Sequence, residues 1–278
     1  MKYTFIAHGS SAVGNILKRN KVSRRLISKL KRVDEGITLN GRPARTVDIA
    51  NEGDIIVISM EDVSDTGEKL SADVPIVYRD ESLIIFDKPS NMPIHPSSRH
   101  RSDTLGNYFS YLYPDKTYRP INRLDRDTTG LCAAALDPFA AKLLQRGIKK
   151  VYYAAVCGII EQGGTIDLPV ARERESIIKR CVRFDGQRAV THYVPIRYSD
   201  KYTLLEIHLD TGRTHQIRVH FSHIGFPLAG DGLYGGSTAD IERQALHCGK
   251  MVLSHPVTGE EMLFTSPLPK DIERLFID

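Results

Sequence analysis

Short apolar runs separated by polar turns characterise the first sixty residues. Ser23 precedes apolar positions with helical spacing, so we predict a helix that starts at Arg24 and is capped by the Ser23 side chain. The predicted buried stripe of this helix consists of Leu26, Ile27, Leu30 and Val33. Gly36 is expected to end the helix in the left-handed conformation.

Strand signals follow the predicted helix. Asn40-Gly41 is a strong hairpin-turn dipeptide, and IIVIS at 55–59 predicts a further strand. The polar stretch after residue 60 has no apolar periodicity. We therefore predict a small α+β domain at 1–62, a linker at 63–73 and a larger domain at 74–278.

The larger segment mixes strands and helices without a regular alternation. Apolar and β-branched runs predict strands, which are VPIVYRD (74–80), SLIIFDKP (82–89), VYYAAVCGII (151–160), THYVPIRY (191–198) and YTLLEIHLD (202–210). Helices are predicted at 105–113, after the capping pair Asp137-Pro138, and at 214–225. The expected fold class is α+β with a mixed, largely antiparallel β-sheet.

Charge is distributed unevenly along the chain, with a strongly basic start inside the predicted small domain. The net charge of the 278 residues is +4, yet residues 1–32 contain no Asp or Glu. That segment holds nine basic residues, which are Lys2, Lys18, Arg19, Lys21, Arg24, Arg25, Lys29, Lys31 and Arg32. The other 246 residues hold 29 basic and 34 acidic residues. A solvated face or an anionic membrane surface are alternatives, but uniformly positive charge favours a nucleic-acid partner for the first segment.

Other protein classes are disfavoured by the composition. No apolar run approaches the ~20 residues that a membrane-spanning helix needs, and the N-terminus lacks a signal-peptide core. A cytoplasmic protein without a membrane partner is therefore expected. The four cysteines lie far apart without zinc-finger spacing, so reduced thiols are expected.

Local motifs leave several chemistries open. His215, His220 and His223 suggest a metal site, although no HExxH pattern accompanies them, and hydrogen-bonded or RNA-facing histidines are commoner. GDGLYGGS at 230–237 lacks the Lys-Ser/Thr ending of a phosphate loop and is interpreted as a turn-rich connection. Asp125 follows Arg123 and precedes Arg126; this setting favours an ionised carboxylate, available as a base or nucleophile, or simply an ion pair. A two-carboxylate glycosidase pairing of Asp125 with Asp127 is also conceivable.

A family resemblance is more specific than these local motifs. NRLDRDTTGL (122–131) and LDTGRTHQIRVHFSHIGFPLAGDGLYG (209–235) resemble the two long motifs of RluA/RluD-type RNA pseudouridine synthases. Shorter matches occur in the family's order, at 84–96, 150–158, 189–193 and 253–269. The basic N-terminal segment resembles an S4-type RNA-binding domain. The resemblance implies the pseudouridine synthase fold for the larger domain.

The same resemblance implies roles for individual residues. Asp125 corresponds to the catalytic carboxylate, Arg218 to the arginine that pairs with it, and Tyr152 to the tyrosine that stacks on the uracil and can help remove the C5 proton. Arg123 is a candidate to hold the RNA near the position that the extruded uridine leaves. Asn122 stands where many members have His, so no role of that His transfers. The reaction is an isomerisation, so no cofactor or metal is implied.

Three functions are compared on this basis. The leading hypothesis is a monomeric RNA pseudouridine synthase that acts on structured RNA, with rRNA favoured over tRNA, and that docks through residues such as Arg24, Arg25 and Lys31. The main alternative is a non-catalytic RNA-binding or assembly protein that retains the fold. A nucleoside or glycoside hydrolase is a third hypothesis.

Overall fold

The computed structural model describes residues 1–62, 68–145, 147–174 and 178–277. Residues 63–67 of the predicted linker lie outside the described residues. In the N-terminal part the strands are β1 (Lys2–Ile6), β2 (Ser11–Ala12), β3 (Ile37–Leu39), β4 (Arg42–Pro43), β5 (Ile49–Ala50) and β6 (Ile55–Ser59), and the helices are α1 (Val13–Arg19) and α2 (Arg24–Leu30). Four strands form a sheet in the order β1-β6-β3-β4, and β2 pairs with β5.

Local signals account for most of this N-terminal part. The Ser23 hydroxyl accepts a hydrogen bond from the Leu26 backbone amide at 3.1 Å, which confirms the predicted cap of α2. Asn40 and Gly41 both have positive φ and connect β3 to β4, as the hairpin signal predicted. Leu26, Ile27 and Leu30 are buried.

Two details of the helix prediction were wrong. Val33 is 37% exposed, because α2 ends at Leu30 and Val33 lies in the turn beyond it. Gly36 does not adopt the left-handed conformation, which Glu35 takes instead with φ +53°. A glycine is needed at position 36 for another reason, because a Cβ there would lie 2.3 Å from the carbonyl oxygen of Leu30.

The remainder of the chain is built on a large, largely antiparallel sheet. Its strands are β7 (Ile76–Arg79), β8 (Leu83–Lys88), β9 (Arg119–Pro120), β10 (Thr129–Ala135), β11 (Lys149–Cys157), β12 (Gly164–Asp167), β15 (Val190–Tyr198), β16 (Tyr202–Leu209), β17 (Leu246–Ser254) and β18 (Glu261–Thr265). The central order is β12-β15-β16-β11-β17-β10-β8-β7, with β18 on β17 and β9 on β10. A separate hairpin consists of β13 (Val170–Arg172) and β14 (Arg180–Val182). Only the β10–β17 pair is parallel among the described strands, so the predicted α+β class is confirmed.

The helices lie against this sheet. They are α3 (Leu105–Leu112), α4 (Pro138–Leu144), α5 (Gln216–His223) and α6 (Lys270–Glu273), with short 3-10 turns at Gly232–Tyr234 and Arg274–Phe276. The Asp137 carboxylate caps α4 by accepting from the amides of Phe139 and Ala140, as predicted. Within the described residues, no helix is long and apolar enough to cross a membrane.

The N-terminal part packs on one end of the large sheet. Phe139 of α4 is buried in the apolar core formed by residues 1–60, and its ring meets that of Tyr3 edge-on at 4.6 Å. The Tyr3 hydroxyl donates to the second oxygen of Asp137 at 2.7 Å. Arg119 binds both oxygens of Asp62 at 2.6 Å. Apolar packing and charge-assisted hydrogen bonds thus fix the N-terminal part to the end of β10.

Candidate active site

The residues of the larger domain that were predicted to bind substrate or take part in catalysis line one cavity. This cavity of about 620 Å³ is bordered by Asp125, Arg123, Tyr152 and Arg218. The residues come from the loop before β10, from β11 and from α5. Tyr152 of β11 pairs with Cys248 of β17, whose parallel partner on β10 is Gly130. Register across three neighbouring strands therefore brings the tyrosine next to the loop that carries Asp125.

The loop that carries Asp125 is anchored by two buried polar side chains. The Lys88 ammonium is 1% exposed and donates at 2.8 Å to the carbonyl oxygens of Pro89, Met92 and Arg126. Burial lowers the pKa of Lys88 to about 8. Asn122 fixes the other end of the loop, since its side-chain NH₂ donates to the carbonyl of Leu131 and its side-chain oxygen accepts from the backbone amide of Ala133, both in β10.

Asn122, where the sequence departs from the family pattern, binds the backbone of β10. The Asn122 side chain is buried and both of its polar atoms bind the backbone of β10, at 3.0 and 2.8 Å. It is not among the residues that bind Asp125. In this chain Asn122 holds the loop against the strand.

Arg218 lies between two carboxylates. Its Nη1 donates to Asp125 Oδ2 at 3.0 Å, while Nε and Nη2 donate to the two oxygens of Asp231 at 2.7 and 2.8 Å. The side chain is 8% exposed. Burial alone would lower the pKa of Arg218, but the hydrogen bonds and charge of Asp231, together with the charge of Asp125, raise it. Asp231 therefore fixes the guanidinium that orients Asp125.

The sequence neighbours of Asp125 do not supply its ion pair. Arg126 turns to Asp127 at 3.1 Å, and Arg123 is exposed at the cavity wall. Asp127 is not among the residues that line the cavity, so the structure does not place it opposite Asp125. The ion pair of Asp125 is made with Arg218, from a helix 93 residues further along the chain.

A histidine forms the other neighbour of the carboxylate. His215 has φ +58°, and its Nε2 lies 3.7 Å from Asp125 Oδ2. Its Nδ1 lies 2.8 Å from the Tyr234 hydroxyl, which also accepts from the Arg180 amide. This network is satisfied when Tyr234 donates to Nδ1 and the ring proton sits on Nε2, facing Asp125. Burial lowers the pKa of His215 despite the opposing charge of Asp125, so the ring is neutral at pH 7.

Both contacts of Asp125 reach the same oxygen. Arg218 and His215 approach Oδ2, and within the described part of the chain no hydrogen bond reaches Oδ1. The Asp125 side chain is 25% exposed in the cavity. Oδ1 is therefore the oxygen that a bound molecule can meet.

Tyr152 provides an apolar wall with a protonated hydroxyl. The residue is 6% exposed, and burial raises the pKa of its phenol well above the usual range. A phenol that stays neutral is a poor base, whereas its ring face suits stacking on a flat heterocycle.

The three clustered histidines do not converge on one point. The ring of His220 bonds to Thr191 Oγ1 and to the carbonyl of Leu168, both at 2.9 Å, while His223 is exposed. Among the described residues no group of three His, Cys, Asp or Glu side chains could hold a metal ion. His215 belongs to the Asp125 cavity instead.

An arginine-rich hairpin borders the cavity. Arg172 and Arg180 of β13 and β14 line a second cavity of about 340 Å³ together with Arg213, which also lines the first. Phe184, just after β14, is 99% exposed. Cations and an unpacked aromatic ring next to a pocket are features of surfaces that bind single-stranded nucleic acid.

The basic N-terminal residues do not enter the cavity. Arg24, Arg25 and Lys31 are all exposed on or just after α2. They are not among the cavity-lining side chains. They belong to the N-terminal part, which packs at the other end of β10.

Sequence reasoning missed Asp231 and the role of His215. Asp231 is the one Asp of GDGLYGGS, a segment that the sequence pattern indicates only as a connection. Its position inside the second family motif was the available signal. Neither its contact with Arg218 nor that of Tyr234 with His215 has a local sequence signature.

Known protein families and individual proteins resemble this chain in sequence. The family model described as RNA pseudouridylate synthase matches residues 82–223. An uncharacterised RNA pseudouridine synthase of Bacillus subtilis, YjbO, is 37% identical over 266 residues, covering 91% of this chain and 94% of the relative. The ribosomal large subunit pseudouridine synthase D of Pseudomonas aeruginosa is 38% identical over 263 residues, covering 86% of this chain and 82% of its own.

A solved structure shares the fold. Human RNA pseudouridylate synthase domain containing 1 has a TM-score of 0.60 at 24% identity, covering 72% of this chain and 86% of its own. The chain belongs to the RNA pseudouridylate synthase family, in its RluA/RluD branch. It is an RNA pseudouridine synthase, an isomerase that acts on RNA. The match at 82–223 does not include the N-terminal part, for which the S4-type domain stays a prediction.

Proposed function

We propose that the protein isomerises uridine in large-subunit rRNA with Asp125 as its catalytic carboxylate. The observation that carries this assignment is the geometry of Asp125, which lines the cavity with its Oδ2 bound by Arg218 and with no hydrogen bond to its Oδ1 among the described residues. The rRNA target is supported by relatives from Pseudomonas aeruginosa, Pasteurella multocida and Haemophilus influenzae, each named ribosomal large subunit pseudouridine synthase D.

The reaction breaks the bond between N1 and C1′ and joins C5 to C1′ after the uracil turns. C5 loses a proton and N1 gains one, so the change is balanced without an oxidant or a second substrate. Oδ1 of Asp125 acts at the ribose, as nucleophile or as base. Arg218 restricts the rotation of the carboxylate, and such pre-orientation is worth orders of magnitude in rate.

Tyr152 and Arg123 are assigned to substrate binding. Tyr152 stacks on the uracil, and its high pKa argues against a role as the free base that removes the C5 proton. The target uridine must leave its stack to enter the cavity, at a cost of a few kcal/mol. Arg123, which is exposed at the cavity wall, is proposed to hold the RNA at the position the uridine leaves.

The N-terminal residues 1–62 are proposed to act as an S4-like docking domain, joined through 63–73 to the catalytic domain at 74–278. All nine basic residues of its first segment are exposed, including Arg24, Arg25 and Lys31. Phosphate contacts made by such side chains are strongly salt-dependent. We expect the protein to act as a monomer in the cytoplasm, which light scattering and cell fractionation can test.

The decisive experiment compares two substitutions in one loop. Asp125→Asn should abolish pseudouridine formation in large-subunit rRNA fragments while RNA binding persists. Asp127→Asn is the matched control, because Asp127 is not among the residues that line the cavity and pairs with Arg126 instead of Arg218, and it should keep activity. Pseudouridine is mapped chemically, and mapping in a deletion strain identifies the uridine.

Each alternative function has its own signature in this assay. Activity of Asp125→Asn near the wild-type rate would overturn the role of Asp125. RNA binding by the wild-type protein without any pseudouridine would favour the non-catalytic assembly protein. Release of free uracil would favour a hydrolase. Modification of tRNA but not rRNA would correct the target.

A further inference from the structure

A second large groove lies between the N-terminal part and the catalytic domain. Its volume is about 1070 Å³. One wall is formed by β1 and the end of α1, and the other by α4 and the turn at 254–259 between β17 and β18. We call this cavity the interdomain groove. Among the described residues it shares no lining residue with the cavity around Asp125.

The interdomain groove is positively charged. Lys2, Arg19 and Lys21 line it from the N-terminal side, and Lys142 lines it from α4, whereas Glu81 is the one acidic residue among its described lining residues. All four cations are exposed, and none forms an ion pair within the part of the chain that the structure describes. Unpaired cations around a groove are suited to the phosphates of a nucleic acid backbone.

The two walls are held together firmly. Phe139, three residues before Lys142 on α4, is buried in the N-terminal core, and Asp137 accepts from Tyr3. Lys142 and the N-terminal cations therefore keep a fixed spacing. A phosphate backbone that bridges the groove meets cations from both parts at once, without ordering a flexible linker.

Strand register sets the distance from the groove to the reacting carboxylate. Asp125 lies four residues before Thr129, the first residue of β10, whereas the groove-lining Phe139 lies four residues after Ala135, its last residue. Seven extended residues at ~3.3 Å each span about 20 Å. At the ~3.4 Å rise of B-form DNA that length takes about six base pairs, and the shorter rise of an A-form RNA stem makes six a lower bound.

We propose that the interdomain groove binds the backbone of a helical stem in the substrate RNA, about six or more base pairs from the target uridine. This inference rests on the proposed function, because it concerns the same RNA that Asp125 modifies. It assigns Lys142 of the catalytic domain and Lys21 of the N-terminal part to a single binding site. RNA length becomes a determinant of affinity, separate from the chemistry.

The test combines a double substitution with two RNA lengths. Lys21→Ala with Lys142→Ala removes one cation from each wall, and Lys69→Ala with Lys270→Ala is the matched control, since these lysines are exposed outside the groove. Substrates carry the target uridine next to a stem of either three or twelve base pairs. Binding is measured against salt, and turnover is measured in parallel.

For the long stem we expect KM to rise about tenfold with kcat unchanged, and the salt slope to fall by ~0.7–0.9 for each phosphate that the variant no longer binds. The short stem should show the same KM in both proteins, and the control variant should match the wild type. An equal effect on both stems, or none on the long stem, would overturn the inference. The binding measurements decide this even if no pseudouridine forms, and absent turnover would count against the proposed function alone.

Discussion

Asp231→Asn isolates the contribution of the buried anchor behind the reactive pair. The Asp231 side chain is 1% exposed and binds Arg218 through both oxygens, at 2.7 and 2.8 Å. The asparagine side chain keeps the shape of the aspartate and one acceptor oxygen. Its NH₂ group, however, faces an N–H donor of the Arg218 guanidinium, and the negative charge of the carboxylate is lost. Arg218 then retains a single carboxylate partner, Asp125, at 3.0 Å.

The expected cost follows from these contacts. Removal of one buried hydrogen bond to a charged group costs about 1.5–3 kcal/mol of folding stability. The charge on Arg218 remains compensated by Asp125, so the larger penalty of an unpaired buried charge does not apply. A guanidinium freed on one side can rotate to bind both oxygens of Asp125, including Oδ1. We therefore expect kcat to fall about 100-fold with little change in KM, as expected when the reacting group is misplaced.

The assay is single-turnover pseudouridine formation, with urea unfolding to measure stability. Asp62→Asn is the matched control, because Arg119 binds both oxygens of Asp62 at 2.6 Å, at the far end of β10. The control should lose comparable stability but keep its kcat. A folded Asp231→Asn protein with kcat within twofold of the wild type would refute the anchoring role.

Three further predictions concern stability. Burial lowers the pKa of His215, His220 and His247 below 6.5, so these histidines bind protons more readily in the unfolded state as the pH falls. Below pH 6.5 the free energy of unfolding should therefore fall by up to ~1.4 kcal/mol per pH unit for each histidine. A urea midpoint that does not change between pH 7.5 and 5.5 would contradict this. Lys88→Met removes the donor from three backbone carbonyls and should lower the free energy of unfolding by about 2–4 kcal/mol in urea unfolding, whereas no change would mean that the ammonium only fills space. Asn122→Ala should lower the free energy of unfolding by about 2 kcal/mol in urea unfolding, and it should lower activity, because the loop before β10 loses both of its side-chain hydrogen bonds to the strand. Unchanged activity would show that the loop holds its shape without these hydrogen bonds.

The position of Phe139 changes how the N-terminal part should be tested. The predicted domain boundary at residue 62 implies that residues 1–62 can be removed with the Asp125 site left folded. In the structure Phe139 is 4% exposed in the N-terminal core and Asp137 accepts from Tyr3, so the deletion would uncover an aromatic ring on α4. Point substitutions of exposed lysines are therefore the cleaner probe of docking.

Local interactions were accessible from the sequence alone. Ser23, Asp137 and the Asn40-Gly41 turn satisfy backbone groups within a few residues, so short-range patterns were sufficient to predict them. The family motifs likewise pointed to Asp125, Tyr152 and Arg218, which the structure brings to one cavity.

Tertiary structure decided which groups act on these residues. The Arg218 contacts to Asp125 and Asp231 join positions 93 and 13 residues apart, and Arg126, adjacent to the carboxylate in sequence, turns away to Asp127. The interdomain groove likewise exists only where α4 meets β1. Sequence patterns report on backbone neighbours, whereas ion pairs and cavities depend on the register of strands and the packing of helices, which only the folded chain specifies.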